Sequence, residues 1–339
     1  MGWARPIAHP GLAVATSLLA ILSLGQRCLA QTPDQPVKPS LFRCSANTTS
    51  LTFALRSDFT DETLYGCPSG DKGSLPEAEG ALASLKLDQR AHTTAIAGDG
   101  LLLGVLRYYP AGPALQGVML GPYLQGNGTY QIPSGGQAEK KTDLYTAGGF
   151  LQVGLSNDLV QGQDYFRIRA GQARSNAAIT YTTVVGEWLP YYGKVFGSPI
   201  PIGGVSSLTG GHLFYSLQPE IMIQYDHLDE GKNSYTIFSR KSEDLRVGPQ
   251  LTLKLWVNTG LEPKITAQPL QTFLDNSAIS LTYHGDVDAQ SGARYSWAQA
   301  VYLYNSDPHY ALSLSYGYGN MEATGNMASQ VKIGLAAKY

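Results

Sequence analysis

Residues 331–339, VKIGLAAKY, end the chain in strict alternation. Val331, Ile333, Leu335, Ala337 and Tyr339 share one parity, and Lys332, Gly334, Ala336 and Lys338 share the other. Successive side chains of a strand point to opposite faces, so the stretch reads as a strand with one apolar face and one mixed face.

The same period recurs upstream. In 309–320, Tyr310, Leu312, Leu314, Tyr316 and Tyr318 oppose Ala311, Ser313, Ser315, Gly317 and Gly319. In 244–258, Leu245, Val247, Leu251, Leu253 and Leu255 oppose Arg246, Gln250, Thr252 and Lys254. Segments 211–227 and 143–157 alternate in the same way, the first setting Ile221, Ile223 and Tyr225 against Glu220, Gln224 and Asp226. A soluble sandwich also alternates, but these segments outrun the usual globular strand of about 5–6 residues. They reach the roughly 9–11 residues that cross a bilayer at a tilt. Tyrosines sit at their ends: Tyr108 and Tyr109 before the turn PAGP, Tyr302 and Tyr304 before SDP, Tyr310 after it. That is where an interfacial aromatic girdle belongs.

The terminal stretch resembles the last strand of bacterial outer-membrane barrel proteins, which ends in an aromatic residue and is recognised by the barrel-assembly machinery. The resemblance is sharp over the last ten residues and general over 80–339. It implies an all-β fold, a transmembrane antiparallel up-and-down β-barrel, with Val331, Ile333, Leu335, Ala337 and Tyr339 as the assembly signal. The alternation predicts strands at 82–90, 93–109, 114–127, 143–157, 164–174, 176–189, 211–227, 244–258, 277–284, 294–305, 309–320 and 330–339. That makes about 12, an even number as single-chain bacterial barrels require. With Tyr339 on the periplasmic side, 110–113 and 306–308 are periplasmic turns, and 128–142, 228–243, 285–293 and 321–329 lie outside. Segments 190–210 and 259–276 are long for periplasmic connections, so either part of them extends the strands or the count shifts by two.

Composition agrees with a lipid-facing surface. Charged residues are 15% of the chain, against about 25% in ordinary soluble domains, and the face of a barrel that meets lipid needs none. A net charge of −2 and the absence of a basic run argue against a nucleic-acid partner. A soluble exported all-β protein is the competing class.

The beginning of the chain reads as an export signal. Arg5 supplies a positive start, Leu12–Leu24 an apolar run, and Cys28-Leu29-Ala30 a cleavage site with small residues at −3 and −1. Residues 1–30 are therefore expected to be removed after Ala30, with the outer membrane as destination. Cleavage leaves Cys44 and Cys67, an even pair in an exported protein, expected to form a disulfide. Residues 31–79 read as a Pro-rich leader with a short disulfide-tied hairpin, in which Leu51, Phe53 and Leu55 alternate with Thr52, Ala54 and Arg56. The barrel is expected over 80–339.

Charges on the inward parity are the candidates for a pore function. Arg167 and Arg169 project from one strand, Glu220 and Asp226 from another, Arg246 and Lys254 from the next. Opposed acidic and basic walls set a transverse field that selects solutes; the same residues as close ion pairs would instead fill a narrow lumen. Two acidic clusters carry histidine: Asp226, His227, Asp229 and Glu230, then His284, Asp286 and Asp288. Asp beside His can polarise a water and resembles the arrangement of omptin proteases, but the longer motif around that dyad is missing. Such carboxylates can also hold a divalent cation between lipopolysaccharide phosphates, or simply be solvated. The His-x-Ser pair of barrel phospholipases and lipid A deacylases is absent, since no histidine has Ser two residues later. The expected function is a porin-like passive channel for small solutes, or a structural outer-membrane protein, in contact with membrane lipid and lipopolysaccharide. It is expected to need no metal and no cofactor. The alternatives are a surface hydrolase acting on lipid or peptide, and a surface adhesin or assembly barrel using loops 128–142 and 228–243.

Overall fold

The structure, a computed structural model, describes residues 48–56, 59, 81–90, 92–110, 114–132, 140–157, 162–175, 180–192, 202, 205–209, 213–230, 243–257, 268–306, 309–320 and 327–337. The segment 1–30, Cys44, Cys67 and Tyr339 lie outside them.

Among the described residues, fourteen strands form one antiparallel sheet. They are β1 (Thr48–Arg56), β2 (Ala81–Asp88), β3 (Thr93–Tyr109), β4 (Leu115–Gln131), β5 (Lys140–Asn157), β6 (Gly162–Ser175), β7 (Thr180–Tyr192), β8 (Val205–Thr209), β9 (Leu213–Glu230), β10 (Glu243–Val257), β11 (Ser277–Asp288), β12 (Arg294–Asn305), β13 (Tyr310–Asn320) and β14 (Met327–Ala337). β14 pairs with β2, and the ring closes into a barrel of 12 staves. Fourteen strands make 12 staves because two staves are each built from two strands. β2 covers Thr93–Asp99 of β3, and β1 continues along the same edge over Leu101–Tyr109. In the same way β7 and β8 share one edge of β9.

The pleat sorts the side chains. On β13, Leu312, Leu314 and Tyr316 stand outward and exposed while Ala311, Ser313 and Ser315 turn inward and are buried. The same sorting holds around the ring, with Leu85, Ile96, Leu102, Leu124, Leu151, Ile168, Ile223, Ile279 and Ile333 all exposed. A water-soluble protein does not expose a contiguous apolar band of this extent, whereas a membrane-spanning barrel requires one. The rim of that band is marked at Asp164. Its outward carboxylate accepts from Trp188 Nε1 at 2.9 Å, Tyr192 Oη at 2.6 Å and Asn157 Nδ2 at 2.7 Å.

Two features differ from the sequence expectation, at β1 and within 259–276, and segment 190–210 follows one of its two alternatives. The alternation at Leu51, Phe53 and Leu55 belongs to a strand of the wall: β1 pairs with β3, from Thr48 opposite Tyr109 to Arg56 opposite Leu101. A local hairpin and a lipid-facing stave give the same period-2 signal, so sequence alone does not separate them. Segment 190–210 is partly strand, through Tyr192, its bridge to Ile202, and β8, which keeps the stave count at 12. Segment 259–276 contains a helix, α1 (Gln268–Asp275). The turn between β11 and β12 follows from its residues. Asp288 Oδ1 accepts from Gln290 N at 2.8 Å, and Gly292 takes φ +70°, a conformation that side-chain-bearing residues rarely adopt.

Candidate functional site

The barrel interior holds the candidate site, in two groups of buried charge and one aromatic cluster. β6 alternates Phe166 and Ile168 outward with Arg167 and Arg169 inward. The register with β7 sets Glu187 directly opposite Arg167. Arg167 Nε donates to Glu187 Oε2, and Arg169 donates to Glu187 Oε1 from 3.1 Å. Glu220 of β9 lies 3.9 Å from Arg167 Nη2. Charges this deeply buried persist only when paired, and here two guanidinium groups meet two carboxylates.

Phe59 is inserted beside this group. Its ring packs edge-on against Tyr123, 5.0 Å away at 86°, and against Phe150, 5.6 Å away at 68°. The guanidinium groups of Arg167 and Arg169 sit 5.6 and 5.0 Å from its centroid, within the range of cation–π attraction. Arg167 Nη1 also donates 2.7 Å to the Phe59 carbonyl oxygen. Around it are Leu101, Leu103 and Val105 of β3, Met119 of β4, Tyr165 of β6 and Leu189 of β7, all buried. Tyr123 reaches this cluster because it lies over Gly148 and Gly171; a Cβ at Gly171 would come within 2.5 Å of its hydroxyl. This part of the interior is a packed core. Beside it a polar ladder runs from Tyr165 through Gln163 to Gln116 and Ser156.

The second group lies on β9, β10 and β11. Arg246 reaches Asp226 Oδ2 at 3.0 Å and Asp244 Oδ2 at 2.9 Å, and it faces Asp288 across the β10–β11 ladder. His284 Nε2 is 2.8 Å from Asp286 Oδ1. Among the described residues, this group brings four buried carboxylates, Asp226, Asp244, Asp286 and Asp288, together with Arg246 and His284.

Arg167, Arg169, Glu220, Asp226, Arg246 and Lys254 all lie on the inward parity of their strands. Lys254 is set between Ser216 and Ser280 on its neighbours. The structure does not gather them into opposed walls. Arg167 binds Glu187 and Arg246 binds Asp226, so opposite charges meet at contact distance and their fields cancel over a few ångströms. Asp226 and His227, adjacent in sequence, point to opposite faces: Asp226 is inward and buried, while His227 is outward, 3.7 Å from Glu243. A side-by-side dyad is geometrically excluded there. Among the described residues, no group of three or more His, Cys, Asp or Glu is placed to hold a metal ion.

Phe59, Glu187 and Asp244 are residues of these interior groups that sequence reasoning missed. Glu187 carried a signal, as a lone acid on the inward parity between Val185 and Leu189. Phe59 carried none, because its neighbours come from strands far away in sequence.

No protein-family model matches the chain, and no curated protein matches it. Among solved structures, the β-domain of the Bordetella autotransporter BrkA is similar at 10% identity, covering 87% of this chain and 100% of that one, with a TM-score of 0.43. An outer membrane channel from Pseudomonas putida F1 is similar at 8% identity, covering 91% and 99%, with a TM-score of 0.40. The transport unit of the autotransporter AIDA-I from Escherichia coli is similar at 9% identity, covering 83% and 95%, with a TM-score of 0.34. At these levels the likeness assigns no activity.

Proposed function

We propose that this protein is an outer-membrane barrel serving as a passive channel for small solutes, occluded at rest by Phe59. The observation that carries this reading is the seat of Phe59 among Tyr123, Phe150, Arg167 and Arg169. The ring is held inside a wall that is otherwise built like a conduit, with an apolar exterior and an interior containing paired charge. Solutes pass when that ring is displaced. The terminal residues Val331–Tyr339 serve as the assembly signal, and lipid and lipopolysaccharide are the surroundings of the barrel.

Liposome swelling tests the reading. Vesicles carrying wild-type protein should swell slowly in small neutral sugars, and vesicles carrying Phe59→Ala should swell several-fold faster. Equal rates would remove Phe59 from the permeation path.

A surface adhesin or assembly barrel is the second reading, and the packed interior favours it, since a filled barrel is a rigid scaffold for loops. It predicts that neither protein admits solute.

A further inference from the structure

Helix α1 directly precedes β11, at the same end of the barrel as the end of β14. Leu270, Phe273 and Leu274 stand at positions i, i+3 and i+4 and therefore share one helical face. They are 64%, 46% and 37% exposed. A rim helix bathed in water would turn such a face onto the protein. Here the face joins the outward side of the wall instead. The Phe273 ring stacks on Tyr304, 5.4 Å away at 26°. Tyr302 and Tyr304 hold the outward parity of β12, pairing with Ile279 and Ser277 of β11. The Ser277 hydroxyl fastens the junction, donating to the Phe273 carbonyl at 2.6 Å and lying 3.0 Å from the Tyr302 hydroxyl. The apolar side of α1 is thus continuous with the aromatic belt.

We propose that α1 lies in the interfacial layer of the bilayer, with Leu270, Phe273 and Leu274 among the lipid tails just below the headgroups. Lipid is the occupant because the face extends a surface that already meets lipid. The helix sequence QPLQTFLD carries a single charged residue, Asp275 at its end, so its apolar face has no flanking charges for a protein partner to pair. Aromatic and aliphatic groups on one side of a short helix suit this depth. The inference rests on the barrel spanning a membrane and is independent of whether its interior conducts.

Nitroxide accessibility in phosphatidylcholine vesicles tests it on the full chain. Leu270, Leu274, Thr272 and Leu312 are each replaced in turn by p-acetylphenylalanine and coupled to a nitroxide. Leu312, on the outward face of β13, reports the bilayer itself. Labels at 270 and 274 should be relaxed several-fold more by oxygen than by a water-soluble nickel chelate, as at 312, and the label at 272 should show the reverse. Nickel-accessible labels at 270 and 274 with an oxygen-accessible 312 would overturn the helix placement alone. Labels at 270 and 274 shielded from both reagents would overturn it in favour of a protein contact. Nickel access at 312 would overturn the spanning barrel and the helix placement together.

Discussion

Arg167 Nη1 donates to the main-chain oxygen of Phe59 across 2.7 Å, joining residues 108 positions apart in the chain. The same guanidinium binds Glu187 through Nε. One side chain therefore ties β6 to β7 and holds the inserted phenylalanine in place. Because both partners are buried, neither interaction is screened by solvent salt.

Replacing Arg167 by Met leaves Glu187 with Arg169 alone and leaves the Phe59 carbonyl without its donor. Breaking a buried ion pair from one side costs about 3–5 kcal/mol, and that loss should appear in urea unfolding of vesicle-refolded protein. The double variant Arg167→Met, Glu187→Met should recover at least half of it, because the stranded carboxylate is gone. A double variant no more stable than the single one would mean that Arg169 and Glu220 suffer as much as Glu187.

Gln152 is fully buried and faces Arg167 across the β5–β6 ladder. Among the described residues neither of its amide atoms has a hydrogen-bond partner. A buried unsatisfied polar group costs about 1–3 kcal/mol, so Gln152→Met should stabilise the barrel by that order in the same titration. A fall in stability would show that the amide is paired.

Arg246 serves two aspartates at once, at 3.0 and 2.9 Å. Arg246→Met removes the cationic partner of both, leaving Asp226 with the Gln224 amide, and should cost about 3–5 kcal/mol. Asp226→Asn leaves Arg246 with Asp244 and should cost no more than about 1–3 kcal/mol. The order of the two midpoints is the check, and a reversed order would contradict the shared-arginine arrangement.

Leu314 and Ser315 are neighbours on β13 with opposite surroundings, Leu314 outward and Ser315 inward. An outward arginine near the bilayer midplane costs about 2–4 kcal/mol. Leu314→Arg should lose that much when folding into vesicles, and far less in a detergent micelle that lets the guanidinium reach water. Equal losses in both media would place Leu314 away from lipid.

Much of the fold was legible because a strand writes its two faces into alternate positions. Leu312 against Ser313, or Ile223 against Gln224, fixes which side meets lipid without any knowledge of neighbours. The pleat also separates Asp226 from His227, so the failure of that dyad was readable from the chain. Ring closure was harder to see. β1 and β2 share an edge of β3, and β7 and β8 share one of β9, through interruptions that look like loops in sequence. The site was legible only as parity. Which inward charges meet depends on the register between strands, and register is what sets Glu187 directly opposite Arg167. Phe59, drawn in from outside any strand, left no period to read.

Single-channel current in planar bilayers is the most direct test of the central claim, that Phe59 occludes the interior. Wild-type protein should be quiet for most of the record, with rare brief openings. Phe59→Ala should give frequent discrete steps, and Phe59→Leu, which restores bulk, should fall between the two. A wild-type protein that conducts in large stable steps, with Phe59→Ala indistinguishable from it, would contradict the account.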